Sequence, residues 1–200
     1  MKKILTVCLI MILVIGLGIV YIYNSSGITL SSDCSVENVS SVNDAINVFI
    51  AESEKYGVNK EELCFINANY RHRIDYETIH ILAKEKNKDL PKFYSCDIDL
   101  EEQKIDSIVV MPASLGEKQS LNDILRIEEW KVDSDDALNI IIDAYNINKS
   151  DIFLLCVYGT NSSEEIKSEF WQVDIYLADG KSCSSKVDSY SGEILEYEEY

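Results

Sequence analysis

Histidine is scarce in this chain, and the motifs that most often carry chemistry are absent. His72 and His80 are the only histidines among 200 residues. Their spacing misses the i, i+4 arrangement that puts two zinc ligands on one helical face, and no His-Glu-x-x-His occurs. Cys-x-x-Cys is missing, so no zinc site of ordinary ligand spacing is present. Gly-x-Ser-x-Gly, a phosphate-binding glycine loop and a dinucleotide fingerprint are missing too. Asp133-Ser134-Asp135-Asp136 offers carboxylates to calcium but lacks the glycine and distal glutamate of an EF-hand loop. Helix capping accounts for it better. A Cys–His dyad would have to be assembled in space, and nothing raises Cys34 or Cys64 above the other cysteines. The expectation is a protein with no catalytic residue, no metal and no cofactor, whose histidines are exposed or locally bonded.

Positive charge is also scarce. Lysine and arginine number 18 against 35 acidic residues, a net charge of −17. Such a chain repels nucleic acid and anionic headgroups. A solvated acidic surface explains the imbalance more simply than a basic partner does. Apolar content of 46% still suits a folded core.

Ile4 to Tyr23 is an uncharged, almost unbroken apolar run behind Lys2 and Lys3. It matches the roughly 20 residues needed to cross a bilayer, and the lysines would hold that end in the cytoplasm. A cleaved signal peptide is the rival reading. The run exceeds its usual apolar length of about 7–15 residues, and the nearest small-x-small site past its end, Ser25-Ser26-Gly27, sits beyond it. Residues 1–23 are therefore read as a retained single-pass anchor, with the remainder extracytoplasmic. Cys8 follows Leu5-Thr6-Val7, a superficial likeness to a lipidation site, but it precedes any complete apolar region. Beyond the run stand Cys34, Cys64, Cys96, Cys156 and Cys183. An odd count leaves at least one unpaired in a monomer. Most read as small buried apolar side chains.

The remaining chain shows an internal repeat. Asp44-Ala45-Ile46-Asn47-Val48-Phe49-Ile50 returns as Asp136-Ala137-Leu138-Asn139-Ile140-Ile141-Ile142, Asn59-Lys60 as Asn148-Lys149, and Phe93–Ile98 as Phe170–Ile175. Residues 24–39 read as a polar tether, 40–111 as the first module, 112–129 as a packed linker and 130–200 as the second module. The first helix, capped by Ser41 or Asn43, would bury Ile46, Phe49, Ile50 and Tyr56 and stop at Gly57. The second, capped by Asp133 or Ser134, would bury Leu138, Ile141, Ile142 and Tyr145. A strand is expected near Leu63–Ala68. Tyr70–Lys88, an insert in the first copy, fits two readings: a short helix capped by Asp75 and carrying Ile79 and Leu82, which is preferred, or the extension of a hairpin. Strands follow at Lys92–Leu100 and Ile105–Met111, then Ile152–Tyr158, Glu169–Leu177, Ser182–Asp188 and Glu193–Tyr197.

One hairpin can be specified further. Trp171, Val173, Ile175 and Leu177 share a strand face. A two-residue turn at Asp179-Gly180 would set Ile175 opposite Ser184. A three-residue loop, Ala178-Asp179-Gly180, sets Ile175 opposite Cys183 and Trp171 opposite Val187, and places Gly180 in the left-handed position. The second register is expected, with Cys96 and Cys183 as free, buried thiols. The acidic, tyrosine-rich tail from Glu193 fits either a contact strip or an edge strand protected by charge.

Asp136-Ala137 opening a helix, the Trp171-Gln172-Val173 strand, the Asp179-Gly180 turn and Val187-Asp188 leading to Gly192-Glu193 occur in the order of a PepSY domain, which Trp130–Tyr197 resembles. One extra residue precedes Gly192 relative to the commonest spacing, and the first copy lacks the Gly-Glu turn. The resemblance implies an α+β architecture. An N-terminal transmembrane helix would be followed by two tandem PepSY-like modules, each a helix packed on an antiparallel sheet. It also implies a non-enzymatic role, binding and modulating an envelope protein such as a peptidase. A tandem pair is similar in layout to secreted β-lactamase inhibitor proteins, by fold analogy alone. Phe170, Gln172, Asp174 and Tyr176, opposite the core face, are the candidate partner contacts. The alternative is a small-ligand or cation sensor with an apolar pocket between the repeats, lined by Trp130 and the linker.

Overall fold

Alternation of apolar and polar residues at period two dominates the chain, and it produces strands. The computed structural model describes residues 27–73, 75–89, 91–111, 125–161 and 169–200. Its strands are β1 (Ile28–Ser35), β2 (Leu63–Arg73), β3 (Tyr76–Glu85), β4 (Phe93–Asp99), β5 (Lys104–Met111), β6 (Ile152–Asn161), β7 (Glu169–Leu177), β8 (Ser182–Asp188) and β9 (Ile194–Glu199). Two α-helices join them, α1 (Val42–Glu54) and α2 (Ser134–Tyr145). All nine strands form one antiparallel sheet in the order β1-β5-β4-β3-β2-β6-β7-β8-β9.

That single sheet corrects the expectation of two modules, each a helix on a sheet of its own. Each half does present a helix, a 3-10 turn and four strands in the same order. The leading strands β2 and β6 then pair with each other, from Asn69 opposite Tyr158 to Arg73 opposite Leu154. Pairing satisfies backbone groups that two separate sheets would leave bare at their edges. Asn59 and Asn148 sit at equivalent places, each accepting from the amide two residues on (Glu61, 3.1 Å; Ser150, 3.3 Å).

Three further expectations change. Residues 24–39 are not simply a tether, because β1 pairs with β5 and buries Ser31 beneath α1. Of the two readings of Tyr70–Lys88 the preferred helix is overturned and the hairpin forms: its described residues contain the end of β2 and all of β3, paired antiparallel. Ile79, Ile81 and Ala83 are fully buried at strand spacing, with Leu82 on the opposite side. The third match of the repeat is one strand out of step. Phe93–Ile98 lies in the third strand of its half and Phe170–Ile175 in the second, so β3 is the counterpart of β7 and no insert exists. Finally, among the described residues no helix is long and apolar enough to cross a membrane. The run 4–23 lies outside the described residues, and the single-pass membrane assignment is not retained.

The β7–β8 hairpin forms as its apolar parity demands. Ile175 faces Cys183, Trp171 faces Val187, and Gly180 adopts φ +90°. Cys96 and Cys183 are buried and free. Burial pushes both thiols up, helped by Asp97 at Cys96 and by Glu199 at Cys183.

Both helices lie on one face of the sheet. Phe49 meets Phe65 edge-on with ring centroids 6.4 Å apart, and Tyr145 stacks on Tyr197 at 3.5 Å. Ile46 and Phe49 of α1 and Ile141 and Ile142 of α2 are buried, whereas Tyr56 is exposed beyond the end of α1. Trp130 packs edge-on against Trp171 at 4.8 Å. Gly159 makes room for it, since a Cβ there would lie 2.7 Å from the Trp130 ring. Glu169 anchors this corner. Its buried carboxylate accepts from the indole N–H of Trp130, the Tyr190 hydroxyl (3.1 Å) and Arg126 Nε (3.2 Å).

The helix N-termini meet. Ser41 caps α1 by accepting from Asp44 N at 3.2 Å. Asp133 accepts from Ser134 N at 2.6 Å and also from Asn43 N of α1 at 3.3 Å, while Ser134 Oγ accepts from Val42 N at 3.0 Å. One carboxylate thus serves two positive dipole ends. Asp133→Ala should lower unfolding free energy by about 1–2 kcal/mol, measured by urea denaturation. Glu52, under β1, accepts from Lys55 and from Ser31 Oγ (3.2 Å). The Lys55 bond outweighs burial, and Ser31 adds to it, so the carboxyl sits below the usual glutamate range. Its stabilising effect is complete above that usual range and is lost as pH falls through the lowered folded value. Glu52→Gln should therefore be less stable at neutral pH and show a shallower acid limb in stability-against-pH curves.

Candidate functional site

Strand parity that sends Ile79, Val157, Val173 and Val187 to the helices sends their neighbours to the other face. Among the described residues neither α-helix covers that face. Cross-strand pairing lines its side chains up in rows. Thr78, Arg71, Cys156, Asp174, Ser184 and Glu198 form one row over β3, β2, β6, β7, β8 and β9. His80, Asn69, Tyr158, Gln172, Lys186 and Glu196 form the next. At roughly 4.8 Å per strand each row runs about 24 Å.

The β7–β8 part of the face is a tied polar network. Gln172 Nε2 donates to Ser184 Oγ at 2.6 Å and to Asp174 Oδ1 at 3.1 Å, and Ser184 Oγ donates to the same Asp174 oxygen at 2.6 Å. Tyr158 joins from β6. Burial, the neighbouring Asp174 charge and a hydrogen bond to that carboxylate push its phenol up to about 12. Lys186 bonds Glu196 at 2.5 Å. Arg71 is different: its exposed guanidinium makes no hydrogen bond or ion pair among the described residues, whereas Arg73 keeps Asp75 at 3.4 Å.

All four candidate contacts share the parity of this face, but only Gln172, Asp174 and Tyr176 reach solvent on it. Tyr176 is 45% exposed, and Gln172 and Asp174 are half-buried within the network. Phe170 is buried, with the Lys186 ammonium 5.4 Å from its ring centroid. It is therefore not available as a contact. Arg71, Tyr158 and His80 were not among the candidates. Tyr70-Arg71-His72-Arg73 holds two of the chain's three arginines at strand spacing, a signal hidden by reading the segment as helical.

The arrangement offers little chemistry. His80 Nδ1 lies 2.8 Å from Asp97 Oδ1, but its row neighbours are Asp97 and Asn69, neither a nucleophile. Cys156 is half-buried in the adjoining row, and burial raises its thiol although Arg71 acts to lower it. A thiol held protonated is a poor nucleophile. Among the described residues no group of three or more His, Cys, Asp or Glu side chains could hold a metal ion. On the helical side, a concavity beside α1 mixes Ile46, Ile127 and Trp130 with Asn43, Asn47, Lys60, Glu61 and Lys86. It is not a purely apolar pocket, and the Trp130 indole N–H is engaged by Glu169.

No family model matches the chain, and no curated protein sequence matches it. A crystal structure of a protein from Clostridium difficile 630, described as a "putative lipoprotein", is similar in fold. The TM-score is 0.56 at 16% sequence identity, over 86% of this chain and 99% of that chain. At that identity the likeness concerns the fold alone.

The Tyr158 phenol supplies a test of the network. Its folded value lies above the usual tyrosine range, so its contribution to stability is full below that range and lost as pH rises through about 12. Asp174→Asn removes the charge that opposes the phenolate. Ultraviolet titration of the phenols, compared with a Tyr158→Phe control, should show Tyr158 ionising at lower pH in Asp174→Asn.

Proposed function

We propose that this chain is a non-enzymatic binding protein that docks a protein partner on the open face of its sheet and modulates it by masking. The observation that carries this reading is the one-sided cover. Both helices are spent on one face, and the other presents an ordered field of arginine, tyrosine and tied polar side chains. Arginine and tyrosine are enriched where interfaces take their binding energy, and a network fixed before binding reduces the entropy lost on association. The motifs resembling a PepSY domain support a modulatory role and suggest an extracytoplasmic peptidase as the class of partner. The fold likeness to a protein described as a lipoprotein supports the same setting outside the cytoplasm.

The face can be blocked without touching the core. Thr78→Arg combined with Tyr176→Arg places two long cations on it, and Asp143→Arg on exposed α2 surface serves as control. Full-length protein and both variants would be used to capture partners from envelope extract of the producing organism, followed by peptidase assays of the captured material. Wild type and the α2 control should retain the same protein and reduce its activity, and the face variant should do neither. Equal capture and equal effect by all three would refute the reading.

A further inference from the structure

We infer that Arg71 is the anchor of the open face, and that the partner is a basic folded protein that presents one Asp or Glu side chain to it. This rests on the docking reading above and adds the chemistry of the partner.

The inference starts from the unequal state of the cations. Lys186 and Arg73 are each held by a carboxylate, at 2.5 Å and 3.4 Å. Arg71, in the middle of the sheet, has none among the described residues. Asp174 stands in the same row with Cys156 between them, so their backbones are about 9–10 Å apart. Asp174 is already engaged by Ser184, Gln172 and Tyr158, and it forms no ion pair with Arg71. The guanidinium is left as a planar, two-pronged donor whose best acceptor is a carboxylate.

The surroundings specify the rest of the partner. Asp97 and Asp99 lie on one flank of Arg71 and Asp174 and Glu198 on the other, while Lys104 stands opposite Asp99 on β5 and Lys186 takes up Glu196. Both flanks call for Lys or Arg around a central acid. Charge also discriminates among occupants. A second copy of this chain would bring its own −17 and nucleic acid a dense negative charge, so both are disfavoured on these flanks. A basic protein is attracted at long range and held in register by one acid.

The probe is a displayed library of a small folded domain with a randomised surface, selected against the full-length chain. Binders that lose affinity for Thr78→Arg/Tyr176→Arg map to the face. These binders should carry Asp or Glu flanked by Lys or Arg. Arg71→Glu should weaken them about tenfold or more, Arg71→Lys should weaken them less, and exchanging the binder's acid for Lys should restore affinity for Arg71→Glu. Thermal unfolding of each variant verifies that it folds. Face binders that lack an acid, or that tolerate Arg71→Glu, would overturn this inference while leaving the docking reading in place. A library that yields no binder sensitive to the face variant would overturn both.

Discussion

Pairing of β2 with β6 is the contact on which the rest of the molecule depends. Each strand leads its half of the chain, and each would otherwise leave a row of bare amides and carbonyls at the centre of the protein. Their antiparallel register, Asn69 on Tyr158 through Arg73 on Leu154, makes two halves into one sheet. The join has an electrostatic consequence, because it brings two helix N-termini together where like dipole ends repel. Asp133 answers by accepting from both helices, and Ser134 by accepting from Val42. Backbone pairing on one layer and shared capping on the other hold the halves in a single register.

The same join creates the candidate site. Arg71 belongs to the first half, and Tyr158 and Asp174 to the second, yet all lie in adjacent rows because β2, β6 and β7 are consecutive in the sheet. Neither half contains this constellation alone. Its polar members are fixed largely by one another, through Asp174, Ser184 and Gln172. Arg71 is left exposed, with no ion-pair partner among the described residues.

Much of the local structure could be read from the sequence because the signals were local. Ser41 and Asp133 have the side chains that cap helices, and both do so. The β7–β8 register followed from keeping Ile175 and Trp171 against apolar partners, a choice between two loop lengths. Reading failed where the decisive partner was distant. The small polar residues of β1 look like a tether until β5 and Glu52 are seen to meet them. Ile79 and Leu82 fit a helix at spacing three as well as Ile79 and Ile81 fit a strand at spacing two, and pairing with β2 and β4 decides for the strand. The match between Phe93–Ile98 and Phe170–Ile175 misled because a buried strand with aromatic and apolar residues recurs throughout one sheet. Phe170 was assigned to the open face by parity, correctly as to direction, but its own surroundings bury it.

Composition, caps and the parity of individual strands were therefore determined by the sequence itself, since each depends on residues a few positions apart. The absence of ordinary metal and nucleophile motifs was equally plain there. The order of strands, the merger of two repeats into one sheet and the meeting of the helix N-termini were decided only in the tertiary structure. So was the isolation of Arg71, because it depends on which carboxylates lie beside it across three strands and on what already holds them. Strand pairing brings together residues as distant in the chain as Arg71 and Cys156, and no local pattern in the chain records that choice.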